Sequence, residues 1–397
     1  MKRTALFLML LGLLGPATLY GAVEVKPYGF ILGNATYNTD ALTDIPVLAP
    51  AEDTGEGNFL ITSRQTRLGL KMKSDAQYSP SGMLEIDFFG LRGSGSNGGA
   101  TQSAPRLRRA FVKIALSPKF DLLAGQEWVV FSPLNPTSLM HCSLPGMMAS
   151  GNLWARLPQI TGTIKPSDAV KIDIGIARPL AGDATMTPVE QADVLGRGER
   201  SGIPWVQGRI GYIGKGETKI AAGAGGFFGQ LDCGEDVNKD TVTGTALGLA
   251  GDIEVQAKKV TLSAEAFYGQ NLKTFFSNAG FKTKTVTQGD VVFPEEVNEI
   301  KSMGGWGEIK YAATEKFDVA ASAGIESLDD EFLADGDVKQ NLTVMGAGIC
   351  KAVPDVKIGL ELGYISTSRI DDDTATEDKE TSDGTNMNVN LSFMFSF

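Results

Sequence analysis

Thr385 to Phe397 reads TNMNVNLSFMFSF, and its apolar residues fall at every second position. Met387, Val389, Leu391, Phe393, Phe395 and Phe397 share one face. Asn386, Asn388, Asn390, Ser392 and Ser396 share the other, where only Met394 is apolar. A period of two sends successive side chains to opposite sides of a strand. Strands of soluble sandwiches are usually about five or six residues long. About ten alternating residues, apolar outward and polar inward, are what one stave of a transmembrane barrel requires.

The chain has 397 residues, 42% of them hydrophobic, with 48 Gly and a net charge of -11. Lys2 and Arg3 precede an apolar run from Ala5 to Leu14, and small residues follow at Gly21 and Ala22. Residues 1–22 therefore read as a secretory signal peptide cleaved after Ala22, although Tyr20 is larger than the minus-three position prefers. Residues 23–397 read as one domain. No run of 18 apolar residues follows, so no transmembrane helix is expected.

The negative charge argues against nucleic acid as a partner. A single histidine, His141, excludes a multi-histidine metal site, and no cofactor is expected. Three cysteines are too few for a disulfide scaffold; Cys142 and Cys233 either pair between loops or stay as thiols. Asp236, Asn238 and Asp240 start like a calcium loop. Thr241 stands where that loop needs glycine and Leu247 where it needs glutamate, so a solvated turn is expected and no metal.

Alternating segments recur along the whole chain. They are predicted at 25–37, 58–73, 82–91, 106–116, 120–129, 154–164, 169–178, 204–213, 217–229, 243–256, 260–270, 302–312, 316–327, 339–351, 356–367 and 385–397. Their seven short and eight long connections alternate strictly. Such a rhythm puts both termini and all short turns on one side, as in bacterial barrels. In lipid a sheet must also close on itself, because every N–H and C=O needs a partner within the protein. The fold class expected is all-β: a closed antiparallel transmembrane barrel of about 16 strands.

Parity assigns the faces. Val170, Ile172, Ile174 and Ile176 oppose Lys171 and Asp173; Val356, Ile358, Leu360, Leu362 and Tyr364 oppose Lys357 and Glu361. The glycines Gly223, Gly225, Gly305, Gly307, Gly346 and Gly348 suit close packing where subunits touch. Pore-lining residues expected from the polar faces are Arg67, Lys71, Glu85, Asp87, Arg109, Lys113, Gln126, Trp128 and Arg209, with Arg106 and Arg108 nearer the outer rim. Nine basic and three acidic residues lie between Phe59 and Leu116. A cationic ladder on one wall would steer anions inward; the alternative is that these cations brace the barrel by pairing with carboxylates.

The connection FSPLNPTSLMHCSLPGMMAS (131–150) is long, rich in Pro and Met, and uncharged apart from His141. It is read as the third external loop, folded inward as a constriction, with Pro133, Pro136, Met140, His141 and Met147 as candidate residues.

The architecture resembles Gram-negative trimeric outer-membrane porins, and local phrases resemble the DcaP-like branch: ITSRQTRLGLKMK (61–73), RLRRAFVKI (106–114), LLAGQEW (122–128) and RLPQI (156–160). GGWGEIKY (304–311) is similar to porins more widely, and the terminal Phe397 resembles the C-terminal signal of bacterial outer-membrane barrels. The chain departs from the DcaP-like group in having no coiled-coil segment between the signal peptide and the first strand. The resemblance implies an outer-membrane homotrimer for passive diffusion of small hydrophilic solutes, anionic or neutral, with dicarboxylates as one class. Partners implied are the lipid bilayer and lipopolysaccharide, the latter through the run Asp371, Asp372, Asp373, Glu377, Asp378 and Glu380. No enzymatic activity is expected: a barrel hydrolase would need His141 beside Ser138 or Ser143, with no orienting carboxylate near in sequence. An adhesin or structural barrel is the remaining alternative.

Overall fold

The chain closes on itself where its ends meet. In the computed structural model the first strand, β1 (Val23–Asn38), runs antiparallel to the last, β19 (Glu380–Ser396), with Phe30 opposite Ser396 and Asn38 opposite Asn388. Phe397 then exchanges both backbone hydrogen bonds with Gly29, each 3.1 Å. The structure describes residues 21–40, 50–51, 54–90, 103–180, 196–289, 291–371 and 380–397. The expected signal peptide, most of the Gly/Ser-rich connection 93–105, residues 181–195 and most of the acidic run after Asp371 lie outside the described residues.

Between the two ends run β2 (Asn58–Thr62), β3 (Arg67–Ser74), β4 (Ser81–Asp87), β5 (Arg106–Ser117), β6 (Phe120–Trp128), β7 (Arg156–Ile164), β8 (Val170–Ala177) and β9 (Trp205–Ile213). There follow β10 (Thr218–Glu235), β11 (Thr241–Ala257), β12 (Val260–Gln270), β13 (Phe281–Gln288), β14 (Val291–Glu299), β15 (Lys301–Ala312), β16 (Phe317–Leu328), β17 (Val338–Val353) and β18 (Val356–Asp371). Each wall strand pairs antiparallel with its sequence neighbour; β2 and β3 both pair with β1 and form one interrupted stave. The wall therefore has the 16 staves expected, closed and antiparallel.

Two departures have local causes. Between Thr62 and Arg67 the chain spends one residue more than β1 does between Asn34 and Phe30, so the stave kinks at 63–66 and parity switches. This tucks both Arg64 and Gln65 inside, 7% and 0% exposed. The connection after β12 is not an open loop: it holds a 3-10 turn (Lys273–Phe275) and the separate hairpin β13–β14, and β12 pairs directly with β15.

The faces follow the alternation. Leu360 and Leu362 are 52% and 55% exposed, whereas Glu361 between them is fully buried. Ile174 is 57% exposed and its neighbour Asp173 only 4%. An apolar exterior in hydrocarbon with a polar interior satisfies both solvents at once. Of the glycines read as contact sites between subunits, Gly223 and Gly225 instead face inward, where the Arg209 guanidinium and the backbone of Phe131 occupy the space a Cβ would take.

The outward row makes a direct forecast. Leu360→Arg should lower the unfolding free energy in lipid vesicles by about 2–4 kcal/mol, since it sets a charge against hydrocarbon. A denaturant titration matching the wild type would mean that this face does not meet lipid.

Candidate functional site

The polar interior is built first from one basic wall. Arg67 on β3, Glu85 and Asp87 on β4, and Arg109 and Lys113 on β5 all lie on the inner face, as expected. A β-bulge between Glu85 and Ile86 leaves Arg108 as an extra residue on β5, so Arg106, Arg108 and Arg109 all reach the interior. A bulge inserts one residue and re-aims its neighbours. Arg108, 1% exposed, donates to Glu85 at 2.9 Å and to Asp87 at 2.9 Å, and Arg106 makes a two-pronged contact with Asp87 at 3.0 and 2.7 Å. Arg106 and Arg108 stand at the start of β5, and the bulge brings Arg108 inside as well, which parity alone does not register.

Other members of the expected ladder are neutralised where they stand. Arg109 is paired with Glu127, Lys113 with Asp121 at 2.8 Å, and Arg209 with Asp252 at 2.6 Å. Lys71 has no carboxylate partner among the described residues; its ammonium lies 4.6 Å from the centre of the Tyr28 ring. Gln126 does not fall on the inner face. It stands opposite Ala110 and Pro158 in the outer row and donates to the carbonyls of Leu107 and Arg108 at 3.0 and 3.1 Å. Trp128 packs edge-on to Trp154, ring centres 6.0 Å apart, beneath the Arg156 guanidinium.

Segment 129–155 lies against this wall and against the opposite one. Met140, His141 and Met147 are 0%, 6% and 2% exposed; Pro136 is buried, and Pro133 stands exposed. On the basic side, the carbonyl of Ser143 accepts from Arg106 and Arg108 at 3.2 Å each and from Arg156 at 3.4 Å. Arg67 donates to the carbonyl of Cys142, and Gln65 bonds both Met140 and Ser143. Elsewhere around the wall, inner-face glutamates hold the N–H groups, from β12 and β15 across the barrel and from β18 two strands before β1. Glu265 on β12 accepts from Leu134 at 2.9 Å and from the Ser132 hydroxyl at 3.0 Å. Glu308 on β15 holds both the amide and the hydroxyl of Thr137, at 2.6 and 2.8 Å. Glu361 on β18 accepts from the amides of Leu139 and Met140, at 3.0 and 2.6 Å, and from Ser138.

Strand glycines make room for the segment. A Cβ at Gly324 would meet the Ser150 carbonyl oxygen at 2.3 Å, and one at Gly225 the Phe131 Cα at 2.9 Å. Around Phe131 a dry cluster forms inside the barrel, with Trp205, Phe227 and Phe275 in mutual ring contact at 4.4–5.7 Å.

The His141 ring is bonded to neither the Ser138 nor the Ser143 hydroxyl. Ser138 Oγ donates to Glu361 and accepts from the His141 amide, while the His141 ring bonds the Leu144 carbonyl at 3.2 Å. Cys142 is a free thiol, so the pairing with Cys233 does not form. Asp236 accepts from the amides of Asn238 and Asp240 at 2.8 and 2.9 Å, closing a turn of its own.

Burial pushes the His141 imidazole down to about 4, against a smaller opposing effect of the Leu144 carbonyl. A base that binds fewer protons when folded makes stability rise with pH between about 4 and about 6.5 and stay level above. Relative to His141→Gln, the wild type should lose up to about 3 kcal/mol across that window as pH falls. Parallel denaturant curves at pH 7 and pH 4.5 check this; an identical pH response in both proteins would rule it out.

No protein-family model and no curated protein matches the sequence. Among solved structures, the outer membrane channel DcaP of Acinetobacter baumannii is 17% identical over 95% of this chain and 98% of that one, with a TM-score of 0.72. An anion-selective porin from Comamonas acidovorans is 12% identical over 95% of this chain and 100% of that one, TM-score 0.60. The trimer form of OmpT of Vibrio cholerae is 13% identical over 95% of this chain and 100% of that one, TM-score 0.51. The chain has the fold of the outer-membrane porins.

Proposed function

We propose that the protein is an outer-membrane porin, a homotrimer that lets small hydrophilic solutes diffuse passively and prefers anions. The single observation that carries this is the closed barrel with exposed apolar rows outside and charged side chains inside. Such a cylinder has hydrocarbon as its natural exterior solvent and water as its interior one. Transport through it is diffusion past a narrow place, without a chemical step. The neighbours described as a channel, an anion-selective porin and a trimer support the reading at the level of fold.

Segment 129–155 is the constriction in this reading, since it is the long connection held to both walls. The anion preference rests on a charge surplus beside it. Arg64, Arg67, Arg106, Arg108 and Arg156 gather around Glu85 and Asp87: five guanidiniums against two carboxylates, a surplus of three positive charges. Arg156 lies over the rings of Trp128 and Trp154, 4.7 and 5.3 Å from their centres, with no carboxylate partner among the described residues. Fixed positive charge in a low-dielectric passage raises the local anion concentration. Dicarboxylates match two separated cations and are the solute class to try first. The outward apolar rows contact lipid, and the acidic external run contacts lipopolysaccharide through divalent cations.

Planar bilayers test the reading. Purified protein should give channels in triplets and a reversal potential on the anion side in a salt gradient. Arg156→Ala should move that potential toward zero by roughly a third of its value, one of three surplus charges being lost. Closed bilayers would favour an adhesin or structural barrel, and an unmoved potential would detach selectivity from this cluster.

A further inference from the structure

The connection after β12 contributes more than the hairpin β13–β14. Before the hairpin, residues 271–280 turn back and lie along the last part of segment 129–155. The Ala149 amide donates to the Phe276 carbonyl at 2.8 Å, and the Trp154 amide to the Phe275 carbonyl at 3.2 Å. Asn278 Nδ2 donates to the Ala149 carbonyl at 3.0 Å and to Glu326 Oε2 on β16 at 2.9 Å. Glu326, fully buried, also accepts from the Asn278 amide at 3.0 Å and from the Ser277 hydroxyl. Asn278 thus links the Ala149 carbonyl to Glu326 on β16, beside Asn341 on β17, which donates to the same carbonyl at 2.9 Å and to the Ser150 hydroxyl at 2.6 Å.

The side chains continue the link. Phe276 stacks flat on Trp154, centres 3.9 Å apart and planes 10° apart. Trp154 in turn carries the Arg156 guanidinium at 5.3 Å, and Arg156 donates to the Ser143 carbonyl. Phe276 sits at φ +61°, and Met147 and Ala149 at +60° and +58°. Side chains at such φ are uncommon and persist only where surrounding contacts hold them. On both partners the positive φ values fall where the two segments meet.

We propose that residues Phe275–Asn278 are the second half of the constriction: Phe276 and Asn278 position the 147–154 limb of segment 129–155, and through Trp154 they position Arg156. Bore and anion preference then depend on two side chains outside that segment. The proposal rests on the porin reading above. Phe276 and Asn278 act here as positioning residues, because solute need not touch either.

The test compares wild type, Asn278→Ala and Phe276→Ala in planar bilayers, with Val292→Ser on the exposed hairpin as a control. Both site variants should change single-channel conductance by roughly 1.5-fold or more and move the reversal potential toward zero, as a looser bore does. The control should match the wild type. A second readout uses Ala149→Cys in a background of Cys142→Ser, Cys233→Ser and Cys350→Ser. Adding Asn278→Ala should speed its reaction with a charged thiol reagent by roughly tenfold, the effect of losing about 1.4 kcal/mol of local stability.

If the wild type conducts but both variants match it in conductance and reversal potential, the inference is overturned. Faster labelling with unchanged conduction would make the contact purely structural and overturn it equally. Should Phe276→Ala fail to assemble, Asn278→Ala decides alone. A wild type that never conducts removes the porin reading instead, and the proposal with it, whatever the labelling rates.

Discussion

An irregular stretch of backbone inside a barrel has no strand beside it to take its hydrogen bonds. Each amide and carbonyl there must find a side chain or another irregular stretch of backbone, because a buried unpaired one costs on the order of 1–3 kcal/mol. Segment 129–155 meets this need with charge of opposite kinds from different strands of the wall. Guanidiniums, which only donate, take its carbonyls at Cys142 and Ser143; carboxylates, which only accept, take its amides at Leu134, Thr137, Leu139 and Met140. The segment is therefore held by arginines of β3, β5 and β7 at its carbonyls and by glutamates of β12, β15 and β18 at its amides. Its own sequence carries almost no charge, because the charge that holds it stands on the strands.

This division decides what the interior charges are available to do. Glu265, Glu308 and Glu361 each spend their lone pairs on amides and hydroxyls of the segment. Arg109 and Arg209 are spent on Glu127 and Asp252. Counting inner-face arginines along the sequence therefore overstates the unpaired positive charge of the interior. What remains is the excess around Glu85 and Asp87, where geometry packs more guanidiniums than carboxylates. The bracing reading describes Arg109, Lys113 and Arg209, each paired with a carboxylate, and the proposed anion preference rests on the other arginines.

Much of this was legible in the sequence because a barrel wall obeys a period of two with little interference. Leu360, Glu361 and Leu362 could be assigned from alternation alone, and so could the stave count. The failures occur where one residue too many breaks the period. The extra residue at 63–66 hid Arg64 and Gln65, and the bulge at Arg108 turns one more arginine inward than alternation allows. Gln126 was assigned by its polarity although its position put it on the outer row, where its amide is satisfied by the carbonyls of Leu107 and Arg108. The contacts of residues 271–280 had no local signal at all. Glu326 and Asn278 are 48 positions apart, and only the closed sheet brings them together.

The dry cluster around Phe131 follows from the same economy of partners. Trp205, Phe227 and Phe267 point inward from β9, β10 and β12, against the polar-inside rule. Beside an open aqueous lumen they would forfeit about 25 cal/mol for each Å² of apolar surface left wet. Phe131, Leu153, Leu272 and Phe275, brought by the two connections, cover them. The inward aromatics of the wall thus have their apolar cover in these two connections. The side of the interior next to β9, β10 and β12 is accordingly filled by apolar side chains, whereas the arginines of β3 and β5 stand on a separate part of the wall.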